Sequence, residues 1–119
     1  MTKAILINPT LKTINLIEVG EYDHMQKLIN GMLGGVGYIK PNGVVGDYSD
    51  DFIYVNDEGL FDETTDFVKI PNYAQEYYRG NMLIVGSDGE GGTTDVKMTL
   101  NEAKVFIQYI PKEAVVLNM

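Results

Sequence analysis

The chain has no cysteine, one histidine and one arginine. Without cysteine there are no disulfides, no thiolate zinc ligands and no thiol nucleophile, a usage that suits a reducing compartment. His24 has no second imidazole or thiolate with which to share a metal ion, and at a helix start it reads as a solvated side chain, not a catalytic one. Bases are scarce: nine Lys and Arg stand against seventeen acids, for a net charge of −8. Direct nucleic-acid binding rests on a clustered basic footprint, and the sequence has none. Long apolar runs are missing as well. Met82 to Val85 is among the longest, far short of the roughly 20 residues of a membrane-spanning helix. The opening MTKAILINP is too briefly apolar for a secretory leader and runs into a turn. The expectation is a soluble cytoplasmic protein with no cofactor and no membrane partner.

What remains is enough for one domain, residues 1–119, with 45% apolar composition and a single core. Lys3 to Asn8 and Thr13 to Val19 read as two strands joined at Asn8-Pro9, an N-terminal hairpin. Met25, Leu28, Ile29, Met32 and Leu33 form one helical stripe, which predicts a helix over Glu21 to Leu33 with a glycine stop near Gly34. Gly37 to Lys40 and Phe52 to Val55 follow as short strands, with turns at Pro41-Asn42-Gly43 and Asn56-Asp57-Glu58-Gly59. Phe67 to Ile70 is a further strand candidate. Pro71-Asn72 predicts a short helix from Tyr73 to Arg79, stopped by Gly80, with tyrosines sharing a face. Met82 to Val85, the most apolar strand, belongs at the sheet centre. Asp95 to Met98 alternates as a return strand. Thr99-Leu100-Asn101-Glu102 is a capping box, and Ala103, Phe106, Ile107 and Ile110 continue that helix to Pro111. Ala114 to Leu117 is a candidate terminal strand. The fold class is α+β: a mixed, mostly antiparallel sheet with two main helices and a β-β-α-β, β-grasp-like N-terminal half.

Two stretches carry candidate function. Asp47 to Asp66 holds eight acids and no base: Asp47, Asp50, Asp51, Asp57, Glu58, Asp62, Glu63 and Asp66. They read either as solvated turns around an edge strand or as an acidic patch that attracts a basic partner or mimics a polyanion. Tyr73 and Tyr77 join them as candidate interface residues, since tyrosine combines apolar area with a hydrogen-bonding tip.

The loop Gly86-Ser87-Asp88-Gly89-Glu90-Gly91-Gly92 invites a phosphate-cradle reading, but it lacks a P-loop lysine, fits no dinucleotide spacing and opens no helix directly. Asp88, Glu90 and Asp95 are candidate ligands for a divalent cation, although their spacing matches no calcium loop. Ser87 lies in no nucleophile-elbow context. The alternative is a flexible hairpin tip. No catalytic residue is assigned, and the chain is read as a non-enzyme.

KAILINP at Lys3 to Pro9, Asn56-Asp57-Glu58-Gly59-Leu60, Ile70-Pro71-Asn72, and Gly80 to Asp88 with Thr94-Asp95-Val96 together resemble a small domain family of bacteriophages and mobile elements, of unknown function. The resemblance spans nearly the whole chain and transfers no catalytic residue. It implies an accessory protein that acts in the host cytoplasm by engaging a host or defence protein with a basic surface. The alternative function is a small-ligand, nucleotide or divalent-cation binding module.

Overall fold

The computed structural model of the chain describes residues 2–59, 64–73 and 77–114. Strands β1 (Thr2–Asn8) and β2 (Thr13–Val19) form the expected hairpin, in full antiparallel register from Thr2 opposite Val19 to Asn8 opposite Thr13. The Asn8 carboxamide oxygen closes the turn by accepting the N–H groups of Thr10 and Leu11.

Helix α1 (Tyr22–Ile29) ends one turn earlier than its apolar stripe predicts. Asn30 takes the left-handed conformation, φ 61°, and the N–H of Gly31 returns to the Gln26 carbonyl, so the backbone is capped before Met32. Met32 is exposed, and Leu33 begins strand β3 (Leu33–Ile39). The stop is therefore an asparagine at position 30, not a glycine near 34. The predicted strand at 37–40 is the end of this longer one, bulged between Gly35 and Gly37.

Strand β4 (Asp51–Asn56) pairs with β3 and with β7 (Met82–Ser87). Every residue of β7 is buried, as its apolar run predicts, and it lies at the centre of the order β2-β1-β7-β4-β3. A short β8 (Thr93–Thr94) returns against its end at Gly86 and Ser87. The predicted Asp95–Met98 strand is absent. The backbone there is held by other bonds: the N–H of Val96 to the Lys3 carbonyl, and those of Lys97 and Met98 to the Asp51 carboxylate.

A second sheet contains β5 (Phe67–Lys69) between β6 (Tyr77–Arg79) and β9 (Gln108–Ile110). It corrects two helix predictions. Tyr77 to Arg79 is extended and pairs with β5, so the expected tyrosine face on a Tyr73–Arg79 helix does not form; aromatic side chains suit a pleated surface. Helix α2 (Leu100–Phe106) carries the predicted capping box but stops at Phe106, because Gln108 to Ile110 pairs with the other edge of β5. Lys112–Ala114 is a 3₁₀ turn. Most of the predicted terminal strand, 115–117, lies outside the described residues.

The fold is α+β; among the described residues it has two α-helices, and every strand pairing is antiparallel. Its opening is β-β-α-β, and the likeness to a β-grasp goes no further than that order. One face of the large sheet, with Ile5, Ile7, Ile53, Met82 and Ile84, packs against α2 and the small sheet through Ala103, Phe106 and Val68. The opposite face buries Ala4, Val19, Leu83 and Val85 under Met25 and Ile29 of α1.

Candidate functional site

The glycine loop and the first half of the acidic tract meet at one end of the large sheet. β4 and β7 run antiparallel with Asp51 opposite Gly86, which sets residues 47–51 beside residues 86–93. Ser87 donates its hydroxyl to the Tyr48 carbonyl at 2.8 Å, and Gly89 lies against the Tyr48 ring. The Lys97 ammonium contacts the carbonyls of Ser87 and Asp50 and attracts both the Asp47 and Asp88 carboxylates. Asp47, Asp50, Asp88 and Glu90 thus share an end with Lys97 and with Lys40, which pairs with Asp50 at 3.4 Å. Tyr48 (64% exposed) and Val45 (59%) stand among them.

Each carboxylate has a distinct task. Asp47 accepts the hydroxyl and N–H of Ser49, and these bonds hold its carboxyl below the usual 3.8. Asp50 accepts the Asp47 N–H. Asp88 accepts the N–H groups of Glu90 and Gly92, which likewise lower its pKa and fold the loop around its own acid. Asp51 is 1% exposed and belongs to the core: it accepts from Lys97 at 2.8 Å and Met98 at 2.9 Å. Burial pushes its carboxyl above 3.8 against the opposing pull of those two bonds.

The remaining acidic candidates lie elsewhere. Asp57 and Glu58 are exposed at the far end of β4, about 17 Å along the strand from Asp51 at the usual rise. Asp66 receives the Lys112 N–H near the small sheet. Asp62 and Glu63 lie outside the described residues. The tract is therefore not a single patch among the described residues. The cation trio separates too: Asp95 accepts the Lys3 N–H at 2.8 Å while Asp88 is occupied by its loop, and no group of three or more acidic or histidine side chains among the described residues is placed to hold a metal ion. His24, at the start of α1, accepts the Gly20 N–H through Nδ1 at 2.7 Å. Tyr73 packs on the core, and burial raises its hydroxyl pKa. Tyr77 is exposed at 37%, edge-on to Phe67 and under the Lys69 ammonium at 4.9 Å.

A different set of aromatics lines a cleft beside the loop. Tyr38, Phe52 and Val85 form one cross-strand row on the α1 face, and Gly35, Tyr54 and Leu83 form the next. The Phe52 ring meets Tyr38 and Tyr54 edge-on, each pair of centroids 4.9 Å apart with planes at 71° and 63°. Gly35 gives the Phe52 ring its place, since a Cβ there would come within 3.0 Å of the ring tip. Gly86, under the loop, could carry no side chain without striking the Asp95 carbonyl. The three rings, with Gly91, Gly92 and Thr93, enclose a cleft of about 110 Å³. Burial, with the neighbouring Tyr38 and Tyr22 hydroxyls, raises the Tyr54 pKa.

A domain of unknown function (DUF3846) matches residues 1–107. The chain belongs to that family. Comparison with curated proteins and with solved structures gave no match. The stretch matched to DUF3846 includes the glycine loop, the aromatic row and α2, and ends just before β9. Among the described residues no helix is long and apolar enough to cross a membrane.

Sequence reasoning singled out the glycine loop and, separately, Tyr73 and Tyr77; the aromatics that the structure sets beside the loop are Tyr38, Phe52 and Tyr54. Phe52 and Tyr54 alternate within a strand and so share a face, a signal present in the sequence. Their meeting with Tyr38 and the loop depends on strand order, which the sequence does not display.

Proposed function

We propose that this DUF3846 domain acts by binding and not by catalysis, and that it engages a protein with a basic surface through the Tyr48 end of the large sheet. One observation carries this reading: an exposed tyrosine at the end of the sheet that holds Asp47, Asp50, Asp88 and Glu90 with Lys40 and Lys97, on a chain of net charge −8. Aromatic anchors inside a charged rim are a recurrent form of protein interface, and the rim charges govern association rate and choice of partner. Hydrogen bonds lower the Asp47 and Asp88 carboxyls below the usual 3.8, so both keep their charge further into the acid range. A mobile-element protein acting in the host cytoplasm on a host or defence factor, in competition with nucleic acid, is the setting in which such a surface would serve. The sequence resemblance to phage proteins supports that setting.

The test compares the two ends of β4. Glu90→Lys with Tyr48→Ala changes the proposed surface, while Glu58→Lys adds the same charge at the opposite end. Low-salt affinity capture with wild type should retain a partner that is released as salt rises. The double variant should lose it, and Glu58→Lys should keep it. Equal retention by both variants would refute this surface.

A further inference from the structure

We infer that the cleft walled by Tyr38, Phe52 and Tyr54 is a receptor for a lysine or arginine side chain of the partner. The inference rests on the proposed basic partner and adds the site that would select its residue. Three observations combine. The rings stand at 63–71° to one another, so the cleft has aromatic walls in more than one plane. A cation is attracted by the ring quadrupole when it lies within about 6 Å of the centroid.

The size is selective. At about 110 Å³ the cleft suits a cationic head and part of its alkyl stem, whereas drug-sized ligands use pockets of about 300–1,000 Å³. The charge is selective too. Gly91, Gly92 and Thr93 of the acidic loop line the cleft with Val85, Gly86 and Ser87; the Asp88 carboxylate lies outside that lining, accepting the Gly92 N–H at 2.9 Å, and the Lys97 ammonium contacts the Ser87 carbonyl. The net charge of −8 on the whole chain draws a cation toward the cleft and repels a phosphate or carboxylate ligand. Tyr48 lies against Ser87 and Gly89 of the same loop, so one basic segment can reach both.

The test is an NMR titration of the intact chain with three peptides: acetyl-Gly-Lys-Gly-amide, acetyl-Gly-Arg-Gly-amide and the uncharged acetyl-Gly-norleucine-Gly-amide. The lysine and arginine peptides should give saturable shifts at the Gly91 and Gly92 amides and at the Tyr38 and Phe52 rings, and norleucine should not. Phe52→Leu, which keeps the apolar bulk and removes the ring, should weaken binding about fivefold or more while the remaining amide spectrum stays folded. Tyr54→Leu is the second variant if Phe52→Leu unfolds. Equal shifts with norleucine, or none at the cleft, would overturn the inference. If the Tyr48→Ala, Glu90→Lys pair still abolishes partner capture in that case, the binding surface stands and only the receptor fails. If neither cleft nor rim responds, both readings fall.

Discussion

One face of the large sheet is closed by α2 and the small sheet, and its Ile5, Ile7, Ile53, Met82 and Ile84 are all at zero exposure. The other face is covered by α1 over Ala4, Val19, Leu83 and Val85, but at the corner of β3 and β4 it leaves Tyr38, Phe52 and Tyr54 half-buried. The same β4 strand serves both faces, since Ile53 points into the closed side while Phe52 and Tyr54 point to the open one. A strand's alternation thus separates two duties. The aliphatic face supplies the burial that drives folding, and the aromatic face leaves part of three rings at the surface.

The largest expected effect tests that division directly. Ile53→Ala should destabilise by about 2–5 kcal/mol through lost burial and a residual cavity. Phe52→Ala, one residue away, should cost only about 1–2 kcal/mol despite removing more atoms, because its ring is already partly in water. Urea unfolding with unchanged denaturant slope measures both. Equal costs would mean that the aromatic corner is core and not a surface.

Next in size is Asp51, the polar group at the boundary of the closed face. Asp51→Ala should cost about 2–4 kcal/mol, since it leaves the Lys97 and Met98 N–H groups without their acceptor. Its pH dependence has a definite sign. Burial raises the native carboxyl above 3.8, so the folded chain holds that proton more tightly than the unfolded chain. The stability advantage of wild type over Asp51→Asn should therefore shrink as pH rises from 3.8 through the raised value, and level off above it. An advantage that grows across that window would contradict the burial of this carboxyl.

Local signals in the sequence led to local structure. The N-terminal hairpin, the central Met82 strand and the Thr99 capping box were legible because each depends on neighbouring residues. The errors fell where pairing partners are distant. Tyr77 to Arg79 and Gln108 to Ile110 are short segments drawn into strands by β5, a tertiary demand that outweighs a three-residue preference for helix. Asp51 looked like one more acid in an exposed run; its burial follows from the return of residues 97 and 98, some 46 positions later. The acidic loop was visible as a candidate in the sequence, while the rings beside it required the registers of β3, β4 and β7.

The smallest expected effects compare the helices that cover the two faces. On the closed face α2 has a complete capping box: Thr99 Oγ1 accepts the Glu102 N–H at 3.1 Å, and Glu102 Oε1 accepts the Thr99 N–H at 2.9 Å. On the open face α1 starts at Glu21 with no side-chain cap bond, and only His24 reaches back to Gly20. Thr99→Ala should cost about 1 kcal/mol, whereas Glu21→Ser should gain on the order of 0.5 kcal/mol by supplying the missing acceptor. Thermal unfolding of the two variants and their combination measures both changes, which should add because the caps share no partner. If Glu21→Ser gives no gain, the start of α1 is already fixed by the Gly20–His24 bond. The looser cover of the open face would then come from its having α1 where the closed face has both α2 and the small sheet among the described residues, and not from the uncapped beginning of α1.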